Sequence, residues 1–177
     1  GNYEELSVQV EDILSNMSFG VDAEKAESAF CRIGQLLGYI CQRPDKEIRQ
    51  GPDVLWCTAS KKYILIECKT EVLLARKSIS KSEAGQMEEH CAWFEATYGE
   101  DTLFEPILVI PTERLEKDAY FSHDTKVLKK EGLVNLKKQI RDFFKEFKKF
   151  DFSGLDADLI NQKLVAHNVH NDQFLQK

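Results

Sequence analysis

Apolar residues recur along the chain in two rhythms, and the switches between them predict the order of its elements. Tyr3, Leu6, Val10, Ile13, Leu14 and Met17 fall at helical spacing, giving an amphipathic first helix that ends near Ser18, Phe19 and Gly20. Asp22 is placed to cap a second helix that runs to about Leu37. Its buried stripe is Ala26, Phe30, Ile33 and Leu37, and Gly38 stops it. Residues 39–42 read as a short strand and residues 43–50 as a charged loop. Residues 54–57 and 63–68 form a hairpin around a polar connection at 58–62. A helix over about 82–98 follows, with Met87, Cys91, Phe94 and Tyr98 on one face and Gly99 at its end. Residues 104–110, closed by Pro111, read as a central strand. Helix, three short strands, helix and strand make a mixed α/β core. Beyond Pro111 residues 112–127 show no clear period. Leu133, Leu136, Ile140, Phe143, Phe144 and Phe147 then mark a strongly amphipathic helix rich in lysine, and Leu155, Leu159, Ile160 and Leu164 give the polar tail a weak helical pattern. No internal repeat or low-complexity run is present.

Composition narrows the class without naming an activity. A chain of 177 residues, 42% hydrophobic and 31% charged, suits one soluble domain with helical additions. The expected division is a helical extension at 1–20, a core at 21–128 and a second helical extension at 129–177, folded as one compact unit. A net charge of -6 argues against coating nucleic acid or membrane by charge alone, while leaving room for a local basic groove. No stretch has the length of a membrane span, and no basic-then-apolar leader opens the chain. Five cysteines, an odd number without CxxC spacing and mostly in apolar surroundings, are expected to be reduced, buried thiols of a cytoplasmic protein. The leading Gly1 and the immediate helical start point to a domain excised from a longer parent.

The anomaly lies at the end of the second hairpin strand. With a period of two, Ile64, Ile66 and Cys68 face one way and Glu67 and Lys69 the other. An acid and a base at the end of a strand otherwise rich in Ile and Leu are poorly explained by packing. The hairpin brings a second carboxylate, Asp53, alongside, and two carboxylates with an ammonium can bind a hard divalent cation and position water. Each residue also has a plainer reading. Glu67 and Lys69 can be an edge ion pair worth under about 1 kcal/mol. Asp53 can begin a turn after Pro52, Gln86 can be a surface amide, and Glu27 a solvated helical glutamate. Trp56 and Trp93 read as core aromatics. His90, one turn after Gln86, is placed to face the site, with a structural or solvated histidine as the favoured reading. His167 and His170 lack a third ligand nearby, which rejects zinc.

Pro52-Asp53, followed by Glu67-Cys68-Lys69 and preceded by a helix containing Glu27, resembles the signature of the PD-(D/E)xK nuclease superfamily. The resemblance implies a restriction-endonuclease-like fold, a mixed sheet of about four strands flanked by helices. Within that superfamily the chain is similar to the nuclease-like C-terminal domain of large bacterial DEAD/DEAH-box helicases. The similarity runs from Arg43-Pro44-Asp45 through Gly51-Pro52-Asp53-Val54-Leu55-Trp56 and Ile66-Glu67-Cys68-Lys69, then Gly85-Gln86-Met87 to Trp93-Phe94 and Pro106-Ile107-Leu108-Val109-Ile110. It covers most of the chain, and no helicase motif is present.

That resemblance implies an endonuclease acting on DNA, or on RNA, with Mg2+ or Mn2+. Asp53, Glu67 and the main-chain carbonyl of Cys68 would hold the cation, and Glu27 would reach it directly or through water. Lys69 would orient the attacking water or stabilise the phosphorane, and Gln86 would lie near the water or the scissile phosphate. Arg43, Arg49, Lys61, Lys62, Arg76, Lys77 and Lys81 are the candidate phosphate contacts flanking the site. The implied partners are DNA and the rest of a helicase, defence or repair protein, with a dimer also open. The competing reading is a module that keeps the nuclease fold for docking and cuts little or nothing. A purely structural domain that docks through its Phe-rich helix would leave Asp53, Glu67 and Lys69 unexplained.

Overall fold

A period-two strand pattern and a 3.6-residue helical pattern sort the apolar residues onto two faces of one sheet. The computed structural model describes residues 2–149. Along the chain run α1 (Asn2–Ser15), α2 (Ala23–Leu36), β1 (Ile40–Gln42), α3 (Pro44–Ile48), β2 (Val54–Ala59), β3 (Lys62–Cys68), α4 (Lys81–Tyr98), β4 (Leu103–Val109), β5 (Lys126–Leu128) and α5 (Lys130–Lys145). A short 3-10 turn, Glu146–Lys149, closes the described chain. The strands form one five-stranded sheet in the order β1-β2-β3-β4-β5. β1, β2 and β3 are antiparallel neighbours, whereas β3, β4 and β5 run parallel. Parallel neighbours need a crossover, and α4 supplies it between β3 and β4. The protein is thus an α/β structure with a mixed sheet between helices.

Val54, Trp56, Ile64, Ile66, Cys68, Ile107 and Val109 face one layer, where they pack with side chains of α1, α2 and α5. Leu55, Leu65 and Leu108, one step out of phase, face Met87, Cys91 and Phe94 of α4. Glu67 shares their phase and so points towards the α4 layer. α2 is seated on β2 by a close approach. Trp56 Nε1 donates to the Phe30 carbonyl at 3.0 Å, and a Cβ built on Gly34 would lie 2.4 Å from that same nitrogen. Only a residue without a side chain lets the helix backbone lie on the indole, and that contact sets the position of Glu27 two turns earlier.

The observed elements depart from expectation in four places. The sheet has five strands, because β5 lies in a stretch whose three strand residues are too few to show a period. The charged stretch after β1 is not all loop: Pro44 opens α3 at its first turn, and Arg49, with φ 57°, ends it. The cysteines are not all reduced. Cys31 of α2 and Cys41 of β1 form a disulfide with Cα atoms 5.6 Å apart, because the chain reverses at Gly38 (φ 91°) and brings strand and helix together. Cys57, Cys68 and Cys91 are free. The thiol argument for a reducing compartment therefore fails. Finally, part of the basic face of α5 is tied to α1 and its following turn, while Lys138 and Lys145 stay exposed to solvent. Lys137 donates to Ser18 Oγ at 2.8 Å, Arg141 to Glu11 at 2.7 Å, and Lys138 and Lys145 pair with Asp142. Among the described residues no helix is long and apolar enough to cross a membrane. The tail pattern, His167 and His170 lie outside the described residues.

Two measurements test this packing. Gly34→Ala forces a methyl group into the Trp56 indole and is expected to cost about 1–3 kcal/mol in urea unfolding; an unchanged midpoint would refute the seating of α2. Unfolded without reductant, the protein should expose three thiols to Ellman's reagent, and five only after reduction.

Candidate functional site

The β2–β3 register pairs Val54 with Ile66, so the next residue outward on each strand, Asp53 and Glu67, meet at one end of the hairpin. The chain reaches Asp53 through Gly51, whose φ of 82° suits glycine and whose Cβ would lie 2.7 Å from the Trp93 ring of α4. The Pro52 carbonyl accepts from the Asp45 amide at 3.2 Å, tying the turn to α3. Asp53 N–H donates to Glu67 Oε1 at 3.1 Å, and Cys68 N–H donates to Asp53 Oδ2 at 2.8 Å. Each carboxylate is thus fixed by an amide of the facing strand. The two carboxyl groups lie close enough to shift each other's titration.

α4 approaches this corner with one stripe. Gln86, His90 and Trp93 are four and then three residues apart, one above another on the helix. Lys69 Nζ donates to Gln86 Oε1 at 3.0 Å, Glu67 Oε2 lies 2.9 Å from His90 Nε2, and Trp93 lies against Gly51. The helix start is held by a capping box between Ser80 and Glu83, and Arg76 donates to the same Glu83 at 2.6 Å. Lys69 N–H donates to the Val109 carbonyl at 2.8 Å, anchoring the end of β3 to β4.

Glu27 reaches the corner from α2, in the opposite layer. Its Oε2 accepts from Arg43 Nη2 at 2.9 Å, and it is in hydrogen-bond contact with Asp53. Arg43 also grips Glu24 with two bonds of 3.1 and 2.9 Å, and Lys46 adds a third contact to Glu24 at 2.6 Å.

Burial and the Glu67 charge push the Asp53 carboxyl up to about 9, although the Cys68 amide works against them. Burial also tends to raise Glu67. The His90 hydrogen bond and charge, the bond from Asp53 and the Lys69 ammonium outweigh it and hold Glu67 below its ordinary value. Burial raises Glu27 despite the Arg43 guanidinium. The two carboxyl groups are therefore driven apart in their titration, Asp53 upward and Glu67 downward.

All five proposed catalytic positions, Glu27, Asp53, Glu67, Lys69 and Gln86, meet at this end of the sheet. The expected phosphate contacts divide. Arg43 has an 11% exposed side chain and is spent on Glu24 and Glu27, so it is a structural cation rather than a surface one. Lys61 and Lys62 do not flank the site. They sit at the hairpin turn, Lys62 five residues up β3 from Glu67, roughly 17 Å away at about 3.3 Å per residue, and Lys61 one residue further, paired with Asp101. Arg76 is bound to Glu83. Arg49 is exposed at the end of α3, Lys77 is exposed between β3 and α4, and Lys81 is exposed as the first residue of α4. His90, which sequence reasoning ranked as structural or solvated before site-facing, meets Glu67 here. Its spacing of one turn from Gln86 was the available signal.

Among the described residues no three or more His, Cys, Asp or Glu side chains are grouped to hold a metal ion. Compared with family models, with curated proteins and with solved structures, the chain matches none.

The Asp53 proton gives a test. An acid whose folded value is raised binds a proton that the unfolded chain has released, so its contribution falls as pH rises from 3.8 towards about 9. Asp53→Asn should therefore be more stable than the parent at pH 8, and its melting temperature should depend less on pH between 5 and 8. His123 acts in the same sense. Burial lowers it, but its bonds to Glu95 and Glu88 prevail and raise it, so its contribution is lost as pH rises above 6.5. Being common to both proteins, it cancels in the difference. Parallel pH profiles would refute the Asp53 assignment.

Proposed function

We propose that this chain is a Mg2+- or Mn2+-dependent nuclease domain of the PD-(D/E)xK superfamily, with the restriction-endonuclease-like fold, that cuts DNA phosphodiester bonds endonucleolytically. One observation carries the reading. Asp53 and Glu67 meet at adjoining strand ends, each carboxylate held by an amide of the facing strand, with Lys69 two residues further along the same strand edge and bound to Gln86. The mixed sheet flanked by helices agrees with that fold in element order.

The donor set suits a hard cation. Two adjoining carboxyl groups, one raised by burial and by its neighbour, are an arrangement a divalent ion stabilises by replacing the proton of the raised one. Asp53, Glu67 and the Cys68 main-chain carbonyl would hold it, and Glu27, clamped by Arg43, would act through water. A cation bound there supplies charge for the phosphate and lowers the pKa of a coordinated water.

The remaining work falls to the chain's own side chains. Gln86 fixes the Lys69 ammonium at the edge of the acidic pair, where it neutralises charge growing on the phosphate oxygens. With Oε1 engaged by Lys69, the Gln86 amide presents its N–H groups to water or to a phosphate oxygen. Arg49, Lys77 and Lys81 are the exposed cations for the DNA backbone. Membership of a larger helicase, defence or repair protein follows the same resemblance. A cytoplasmic location is part of the reading, and the Cys31–Cys41 disulfide stands against it.

The test is incubation of the protein with linear and circular DNA in Mg2+, Mn2+ or EDTA. Circular DNA should be cut only with metal, and Asp53→Ala, Glu67→Ala or Lys69→Ala should slow cutting by about 100-fold or more while the fold survives. Cleavage indifferent to all three substitutions would sink the site. DNA binding without cleavage would instead favour a docking module built on the nuclease fold.

A further inference from the structure

We propose that His90 is a positioning residue that holds the Glu67 carboxylate in its cation-binding orientation, and that α4 carries it to that place. The inference rests on the nuclease reading and adds to it a residue outside the acid-and-lysine set.

Glu67 is 5% exposed, and each of its oxygens has a partner: Asp53 N–H on Oε1 and His90 Nε2 on Oε2. The second contact is the only one of the two made by a side chain, and it comes from a different layer of the fold. An ionised carboxylate only accepts, so the His90 Nε2 carries the hydrogen and donates. One lone-pair direction on each Glu67 oxygen is thereby used, and the others remain for a cation. Ligating carboxylates are commonly fixed by such outer partners, whose loss costs about 10- to 100-fold in metal affinity.

A histidine that merely satisfied its own nitrogen could sit anywhere along α4. This one lies midway between two other contacts to the same corner, Gln86 with Lys69 and Trp93 with Gly51. The helix can neither slide nor roll without breaking both, so the imidazole is delivered to Glu67 at a fixed height. Its side chain is 17% exposed, which shelters the bond from competing water. Because Nε2 is occupied by Glu67, His90 acts through that carboxylate rather than on the substrate.

Mn2+ binding to the full chain without DNA, read by the electron paramagnetic resonance of free Mn2+, separates the outcomes. His90→Ala should weaken binding about 10- to 100-fold. His90→Gln, which retains an N–H donor, should recover most of the loss, and in cleavage assays His90→Ala should slow cutting at limiting Mn2+, recover as Mn2+ approaches saturation, and leave KM for DNA unchanged. If His90→Ala does not fold, His90→Met supplies bulk without a donor and carries the same expectation. Equal Mn2+ affinity in wild type and the donor-free variant, with binding still abolished by Glu67→Ala, overturns the role of His90 and leaves the nuclease reading standing. A wild type that binds no Mn2+ overturns both.

Discussion

The pairing register of β2 and β3 is the constraint on which everything else depends. Val54 opposite Ile66 buries Val54, Trp56, Ile64 and Ile66 against α1, α2 and α5, and the same register brings Asp53 to Glu67. A slip of one residue would turn Glu67 into that apolar layer and Ile66 towards α4. Core and site are therefore specified together. Apolar burial on both faces of the hairpin supplies the free energy that holds two acids in contact.

Around the acids, compensation is unequal. Glu27 has the Arg43 guanidinium, and Glu67 has His90, an Asp53 amide and the Lys69 charge nearby. Asp53 lies between them with one amide donor, from Cys68. It is the group pushed up to about 9, and the reason is positional: its neighbours on both sides are carboxyl groups whose counter-charges point elsewhere. A corner built only for stability would place a cation beside Asp53 or an apolar residue in its stead. On the nuclease reading, a bound cation would supply the compensation that the chain itself leaves out.

How much of this was legible follows from the range of each interaction. Strand ends and helix stripes are local, so the hairpin, α2 with its Asp22 cap, and α4 could be read from spacing. Asp53, Glu67 and Lys69 stood out because charges ending an apolar strand violate the pattern. Arg43 could not be placed, since its partners Glu24 and Glu27 lie 19 and 16 residues away and only tertiary packing brings them together. The Cys31–Cys41 pairing has the same origin. Lys61 and Lys62 are different. A hairpin with Asp53 and Glu67 at its open end must have its turn at the other, so their distance from the site was already implied by the strand assignment. His90 shared a helical face with Gln86, but which face of α4 turned inward became clear only with the Trp93–Gly51 contact.

The same redistribution of cations bears on how DNA would be engaged. With Arg43 inward, Lys61 and Lys62 at the far end and Arg76 on Glu83, the exposed cations of the proposed set at this end of the sheet are Arg49, Lys77 and Lys81. Counterion release scales with the phosphates neutralised, and free-standing DNA binders use about six to ten. On the nuclease reading, three such contacts on a chain of net charge -6 would give weak, shallowly salt-dependent affinity, and the cation at Asp53 and Glu67 would contribute much of the attraction for the scissile phosphate. On that same reading, a larger carrier protein would hold the domain near its substrate. A corner with so few exposed cations of the proposed set beside it is suited to being delivered.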